Sequence, residues 1–138
     1  MFVDASALTA MLTDESDARA LLARLQRYPK RITSPPAVWE TVIAVGRTVV
    51  AVGRIVSLAI PDAEAAVHDY LGLMDIQVVA VQLEAIRMAI AVFGRYGNGR
   101  HPAGLNFGDC FAYALAREHR ISLLYKGDDF PHTDIDPA

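Results

Sequence analysis

The sequence predicts a single α/β domain over residues 1–138, with a short parallel sheet covered by helices on both faces. Two observations carry this. Short apolar runs alternate along the chain with longer segments whose apolar residues recur at helical spacing. Apolar residues make up 53% of the 138 residues and charged ones 21%, which suits one buried core and excludes disorder.

The elements follow in order. "FVDAS" reads as a short buried strand, with a helix starting near Ser6. A second helix is expected over 14–26, where Leu21, Leu22 and Leu25 recur. "RITS" (31–34) is a strand or an extended connection. Ser34 then caps a helix that Pro35 opens and that carries Val38, Trp39, Val42, Ile43 and Val45. Within it, "IAVGRTV" is echoed by "VAVGRIV". On a helix this aligns Gly46 with Gly53 and Arg47 with Arg54, a close-packing face for a dimer or for internal packing; so many valines also suit a β-rich stretch. Pro61-Asp62 restarts a helix through Ala66, Val67, Tyr70 and Leu71, and "IQVVAV" (76–81) is a strand. A helix over 83–93 places Ile86, Ile90 and Phe93 on one face. The segment 94–104 is read as a loop, because four glycines and a proline break regular structure. A helix over 105–119 and a strand over 121–125 precede the turn "KGDDF".

Composition narrows function. A net charge of −3 and a pI near 5.7 argue against a basic nucleic-acid binder, so any RNA must meet a local basic patch. One cysteine, Cys110, excludes an internal disulfide framework and reads as a small core residue. Asp4 interrupts the N-terminus before an apolar region forms, so no signal peptide and a cytoplasmic protein are expected. Residues 41–60 are long enough to cross a bilayer, but Arg47 and Arg54 would each cost roughly 2.5–3.5 kcal/mol near its centre. No membrane span is expected.

The chemistry lies in the carboxylates. Asp4 ends the first strand, and Asp128 and Asp129 follow the last; ligands of open α/β sheets bind at such strand ends. Asp4 also suits a helix cap. Glu40 has Pro36, Ala37, Ile43 and Ala44 as its helical neighbours, an apolar stripe on which a carboxylate needs a cation or a partner such as Arg31. With Asn106 as N-cap, Asp109 is the third helical residue and faces the helix dipole, while Gly108 removes bulk beside it. In the turn, Phe130 would anchor Asp129 to the core. His68, His101, His119 and His132 show no ligand spacing. Two like charges at ~4 Å cost roughly 4 kcal/mol at an effective dielectric of about 20. Several carboxylates on one rim therefore call for a hard cation, Mg²⁺ or Mn²⁺, which suits phosphodiester hydrolysis.

The stretches "FVDASAL", "VWE" (38–40), "GNGRHPAGLNFGDCFAYALARE" and "LLYKGDDF" with "TDI" resemble the PIN-domain toxins called VapC, of bacterial toxin–antitoxin modules. The resemblance runs from the first residues nearly to the last; 42–81 adds only length and apolar character. It implies a PIN-like α/β/α sandwich, a homodimer, and a Mg²⁺- or Mn²⁺-dependent endoribonuclease acting on tRNA or rRNA. It also implies an antitoxin partner through which alone operator DNA would be bound. Asp4, Glu40 and Asp109 match the family's acids by position. Many relatives space two aspartates by one residue before the phenylalanine; here Gly127 takes the first place, and Asp128 or Asp129 could serve as the fourth acid. Ser6 and Asn106 would be polar residues near the metal.

On this reading Asp4 and Asp109 ligate the metal, with Glu40 and Asp128 or Asp129 holding a second ion or orienting water. Attack on phosphorus leaves a 5′-phosphate and a 3′-hydroxyl. Arg95, Arg100, His101 and Lys126 are candidates to hold RNA, with Tyr96 stacking on a base. Two other classes compete. A receiver-like signalling domain lacks its acidic pair after the first strand. A non-catalytic binding module would gain nothing from a negative pocket.

Overall fold

A computed structural model of the protein describes residues 1–47, 49–51, 54–56 and 58–138, the side chains of 49–51 and 54–56 apart. In chain order the elements are β1 (Phe2–Val3), α1 (Ala5–Leu12), α2 (Ala18–Leu25), β2 (Arg31–Thr33), α3 (Pro35–Arg47), β3 (Val49–Ala51), β4 (Arg54–Val56), α4 (Ile60–Leu73), β5 (Ile76–Val78), α5 (Leu83–Tyr96), α6 (Phe107–His119) and β6 (Leu123–Leu124). A 3₁₀ turn, Phe130–His132, follows.

Four strands form a parallel sheet in the order β5-β2-β1-β6. The alternation of strand side chains sorts them onto two cores. Phe2, Ile32 and Leu123 face α5 and α6, with Ala89, Tyr96, Tyr113 and Leu115. Val3, Ile76 and Leu124 face α1 to α4, with Leu8, Leu25, Val45 and Val67. This is the α/β/α sandwich the sequence predicts. The chain leaves β1 for β2 on one side and returns to β6 on the other. The crevice of an open α/β sheet opens at such a switch point, so Asp4 stands where a ligand is expected.

Helix starts follow their sequence signals. Ser34 Oγ accepts from Ala37 N at 3.4 Å, and Pro35 opens α3. Asn106 and Asp109 form a reciprocal capping box at α6.

Two readings need correction. The echoed segment is not one helix: α3 ends at Arg47, and 49–51 pairs antiparallel with 54–56. The β-rich alternative applies, as expected where β-branched residues crowd; Gly53 lies outside the described residues. No helix among the described residues is long and apolar enough to cross a membrane. The glycine-rich segment does not begin at residue 94, because α5 runs on through Tyr96. Beyond it, Gly97 pairs with Leu105, and Gly99 and Gly104 take positive φ. The Ile86–Ile90–Phe93 face of α5 is exposed, while Ala85, Ala89, Val92 and Tyr96 are buried.

Candidate active site

Asp4 is 3% exposed, at the rim of β1. Its Oδ2 accepts from Ser6 N at 3.0 Å and Ser6 Oγ at 2.5 Å, so it caps α1 while reaching the crevice. Burial pushes its carboxyl above the usual range, against the pull of the Ser6 bonds.

Glu40 approaches from α3. Burial first, then the charges of Asp4 and Asp109, push its carboxyl up to about 7. The Arg31 partnership does not form: that guanidinium donates to the carbonyls of Leu25, Tyr28 and Met74. Gly108 explains how Glu40 fits. A Cβ there would lie 2.0 Å from Glu40 Oε2. The glycine makes room for this carboxylate itself.

Asp109 enters from the first turn of α6. Its Oδ2 accepts from Asn106 N at 2.8 Å, and its own N–H donates to Asn106 Oδ1 at 3.0 Å. Burial raises its carboxyl to about 6; the Asn106 bond opposes the rise, and the charges of Asp4 and Asp129 add to it. All three carboxyls are raised chiefly by burial, and for Glu40 and Asp109 neighbouring carboxylates add to the rise.

A cavity of about 470 Å³ joins these groups, with Asp4, Ser6, Thr9, Glu15, Glu40, Asn106, Asp109, Lys126 and Gly127 among its lining. The turn after β6 has Gly127 at φ +105, and both Asp128 and Asp129 are exposed. Neither lines the cavity, and the charge of Asp129 adds to the rise of the Asp109 carboxyl. Phe130 is buried and anchors the turn.

Among the residues expected near the metal or the RNA, Ser6, Asn106 and Lys126 line the cavity. Arg100 does not; its guanidinium lies 5.6 Å from the centre of the Phe93 ring. Arg95 pairs with Asp134 at 3.4 Å. Tyr96 cannot stack on a base, because it is buried against His101 and Tyr113. Glu15 and Thr9 are cavity residues that sequence reasoning missed. Glu15 sits in the polar run "TDESD", where no spacing separates it from a solvated acid.

The donors are hard carboxylate oxygens in a partly buried cavity with raised affinity for protons, which is the chemistry a Mg²⁺- or Mn²⁺-class cation takes. As the side chains stand, no three His, Cys, Asp or Glu groups among the described residues close into a ready cage. The acids line a rim, and a hard cation of this class keeps several waters. A second cavity, about 330 Å³ between α5 and α6, is lined by Ile86, Ile90, Phe93, Phe107, Cys110 and other apolar groups. Burial and the Asp109 charge push the Cys110 thiol up to about 11, far from a nucleophile at neutral pH.

Comparison with known proteins fits this arrangement. The PIN-domain family model matches residues 1–136. A VapC ribonuclease of Mycobacterium bovis is 39% identical over 135 residues, 98% of this chain and 95% of its own. The chain belongs to the VapC family of PIN-domain proteins. A VapC ribonuclease of Mycolicibacterium smegmatis is 41% identical over 136 residues, 98% of this chain and 97% of that one. The crystal structure of Mycobacterium tuberculosis VapC20, a sarcin–ricin-loop-cleaving toxin, superposes with a TM-score of 0.72. At 18% identity over 99% of this chain and 97% of that one, it shares the VapC fold alone. A toxin–antitoxin complex from Klebsiella pneumoniae gives 0.58 at 14% identity, covering 88% of this chain and 82% of its counterpart. Family membership sets aside the receiver-like alternative.

Proposed function

We propose that this VapC protein is a Mg²⁺- or Mn²⁺-dependent endoribonuclease that hydrolyses RNA phosphodiester bonds, in tRNA or rRNA, as the toxin of a type II toxin–antitoxin module. The observation that carries the reading is the cavity on which Asp4, Glu40 and Asp109 converge from three separate segments. The relatives' names as ribonucleases support it.

Asp4 and Asp109 would hold the cation, with Glu40 and Asp129 completing the acidic set. A bound divalent ion supplies charge neutralisation at phosphate and makes water more acidic. Glu40, on the same cavity as Asp4 and Asp109, can accept a proton from the attacking water. Water adds in line at phosphorus and the P–O3′ bond breaks, leaving a 5′-phosphate and a 3′-hydroxyl. Lys126 meets the phosphate; Ser6 fixes Asp4 through its two hydrogen bonds. Arg100 is exposed outside the cavity, where it can contact RNA beyond the scissile bond. Asp128 is the weaker candidate for the fourth acid.

An antitoxin partner and a homodimer belong to the same proposal. The Klebsiella neighbour is a toxin–antitoxin complex, and exposed Trp39, Leu73, Ile90 and Phe107 give apolar surface for association. Operator DNA would be reached only through the antitoxin, in the cytoplasm.

The test is cleavage of total tRNA and rRNA by antitoxin-free protein with Mn²⁺, with EDTA, and with Asp109→Asn. Metal-dependent fragments with 5′-phosphates that vanish in the variant are expected. A folded sample that binds no Mn²⁺ would end the carboxylate reading.

A further inference from the structure

Among the described residues, Lys126 is the one Lys or Arg side chain that lines the carboxylate cavity. Its backbone is already tied to the site: Lys126 N donates to Ser6 Oγ at 3.0 Å, and that hydroxyl donates to Asp4. Its side chain is tied as well. The ammonium is ion-paired with Glu15 and stands 3.7 Å from Asp17 Oδ2.

Glu15 is held in turn. Its Oε1 accepts from Thr13 Oγ1 at 3.3 Å, and its N–H donates to Ala10 O at 3.0 Å. Just before it, Asp14 takes φ +51 at the turn out of α1, the left-handed region. Asp17 Oδ1 accepts from Ser16 Oγ at 3.2 Å.

Stability does not account for this pair. Its two side chains are 32% and 37% exposed, and partly exposed ion pairs contribute little to folding. Nor does a further carboxylate help a cavity that must admit a phosphate, since it adds repulsion to that of Asp4, Glu40 and Asp109. Its placement makes sense through the cation it holds. A lysine ammonium is a point charge on a flexible stem with three donors. Anchored by one donor, it presents the others at a set place.

We propose that Glu15, seconded by Asp17, is a positioning residue for the phosphodiester: it holds the Lys126 ammonium at the cavity edge to meet a non-bridging phosphate oxygen of RNA. This rests on the nuclease reading above. Pre-placing the cation lowers the ordering cost of binding.

The experiment compares wild type, Glu15→Ala, Glu15→Gln, Lys126→Met and the Glu15→Ala/Lys126→Met double variant. Binding of a fluorescent RNA oligonucleotide is followed by stopped-flow anisotropy on mixing with Mn²⁺, and cleavage is followed separately. Glu15→Ala and Lys126→Met should each weaken RNA binding about tenfold, raising KM more than they lower kcat. The double variant should bind no more weakly than Lys126→Met alone. Glu15→Gln, whose amide oxygen still accepts from the ammonium, should recover part of the loss. Additive losses would overturn the proposal, as would tighter binding by Glu15→Ala, which would make the pair a brake. No RNA binding by wild type would overturn it too. Coupled binding losses without any cleavage would sink the nuclease reading and leave the positioning role standing; cleavage with additive losses would do the reverse.

Discussion

Replacing Gly108 by alanine probes the active-site geometry without changing a single charge. The new methyl carbon would sit 2.0 Å from Glu40 Oε2 and 2.5 Å from its Cδ, where ordinary contact begins at 3.4 Å. The Glu40 carboxylate must therefore retreat by about 1.4 Å, the gap between those separations. It can do so cheaply, because it is the far end of a flexible side chain. Alanine is also favoured over glycine inside a helix by up to about 1 kcal/mol. The expected result is a split. The melting temperature, followed by circular dichroism, holds or rises, while kcat/KM for RNA with Mn²⁺ falls on the order of 100-fold, the cost of misplacing a catalytic group by about 1 Å. Adding Glu40→Asp, one methylene shorter, should restore part of the activity. Cleavage within about twofold of wild type, in a folded variant, would refute the assignment of Glu40 to the site.

Three further outcomes follow from the same geometry. Asp109→Ala should lose both cleavage and the reciprocal cap, and be less stable than Asp109→Asn by about 1 kcal/mol in urea unfolding. Asp109→Asn retains an acceptor for Asn106 N and removes a buried charge, so it should lose cleavage while holding or gaining stability at neutral pH. Asp129→Asn should depress cleavage well below the level of Asp128→Asn, since the charge of Asp129 is felt at Asp109; equal effects would remove the preference for Asp129 as the fourth acid. In metal-free protein, burial and neighbouring charges push the Glu40 and Asp109 carboxyls up to about 7 and about 6, above the ordinary carboxylate range. The folded state thus holds more protons than the unfolded state across that window. Stability from these groups is full below about pH 4 and falls as pH rises to about 7. Thermal melts should show that decline, and Mn²⁺ should reverse it at neutral pH.

Much of the fold was legible because it rests on local signals. Asp4, Ser34-Pro35 and Asn106 announce helix starts, and the structure uses each of them. The core faces were less legible. On α5 two apolar rows lie side by side, and the bulkier Ile86–Ile90–Phe93 row is the exposed one. Ala85 and Ala89 face inward because small side chains let α5 pack against α6, a choice made by the neighbour and not by hydrophobicity. The Gly-Arg echo misled for a similar reason: a seven-residue repeat suits a helix, but the valines around it pair as strands. At the site, Asp4, Glu40 and Asp109 stood out against their surroundings. Glu15 did not, since only the turn at Asp14 brings it to the cavity. Nor could spacing separate Asp128 from Asp129, which differ by the path of one exposed turn.

The central place of β1 has a consequence in time. Asp4 and Leu124 lie far apart in the chain, yet the Asp4 backbone N–H donates to Leu124 O, and its strand lies between β2 and β6. Parallel pairing over so long a separation forms late, after its loop-closure entropy has been met. On this order of folding, the strand end that carries Asp4 is complete only when the last strand of the sheet docks beside the first.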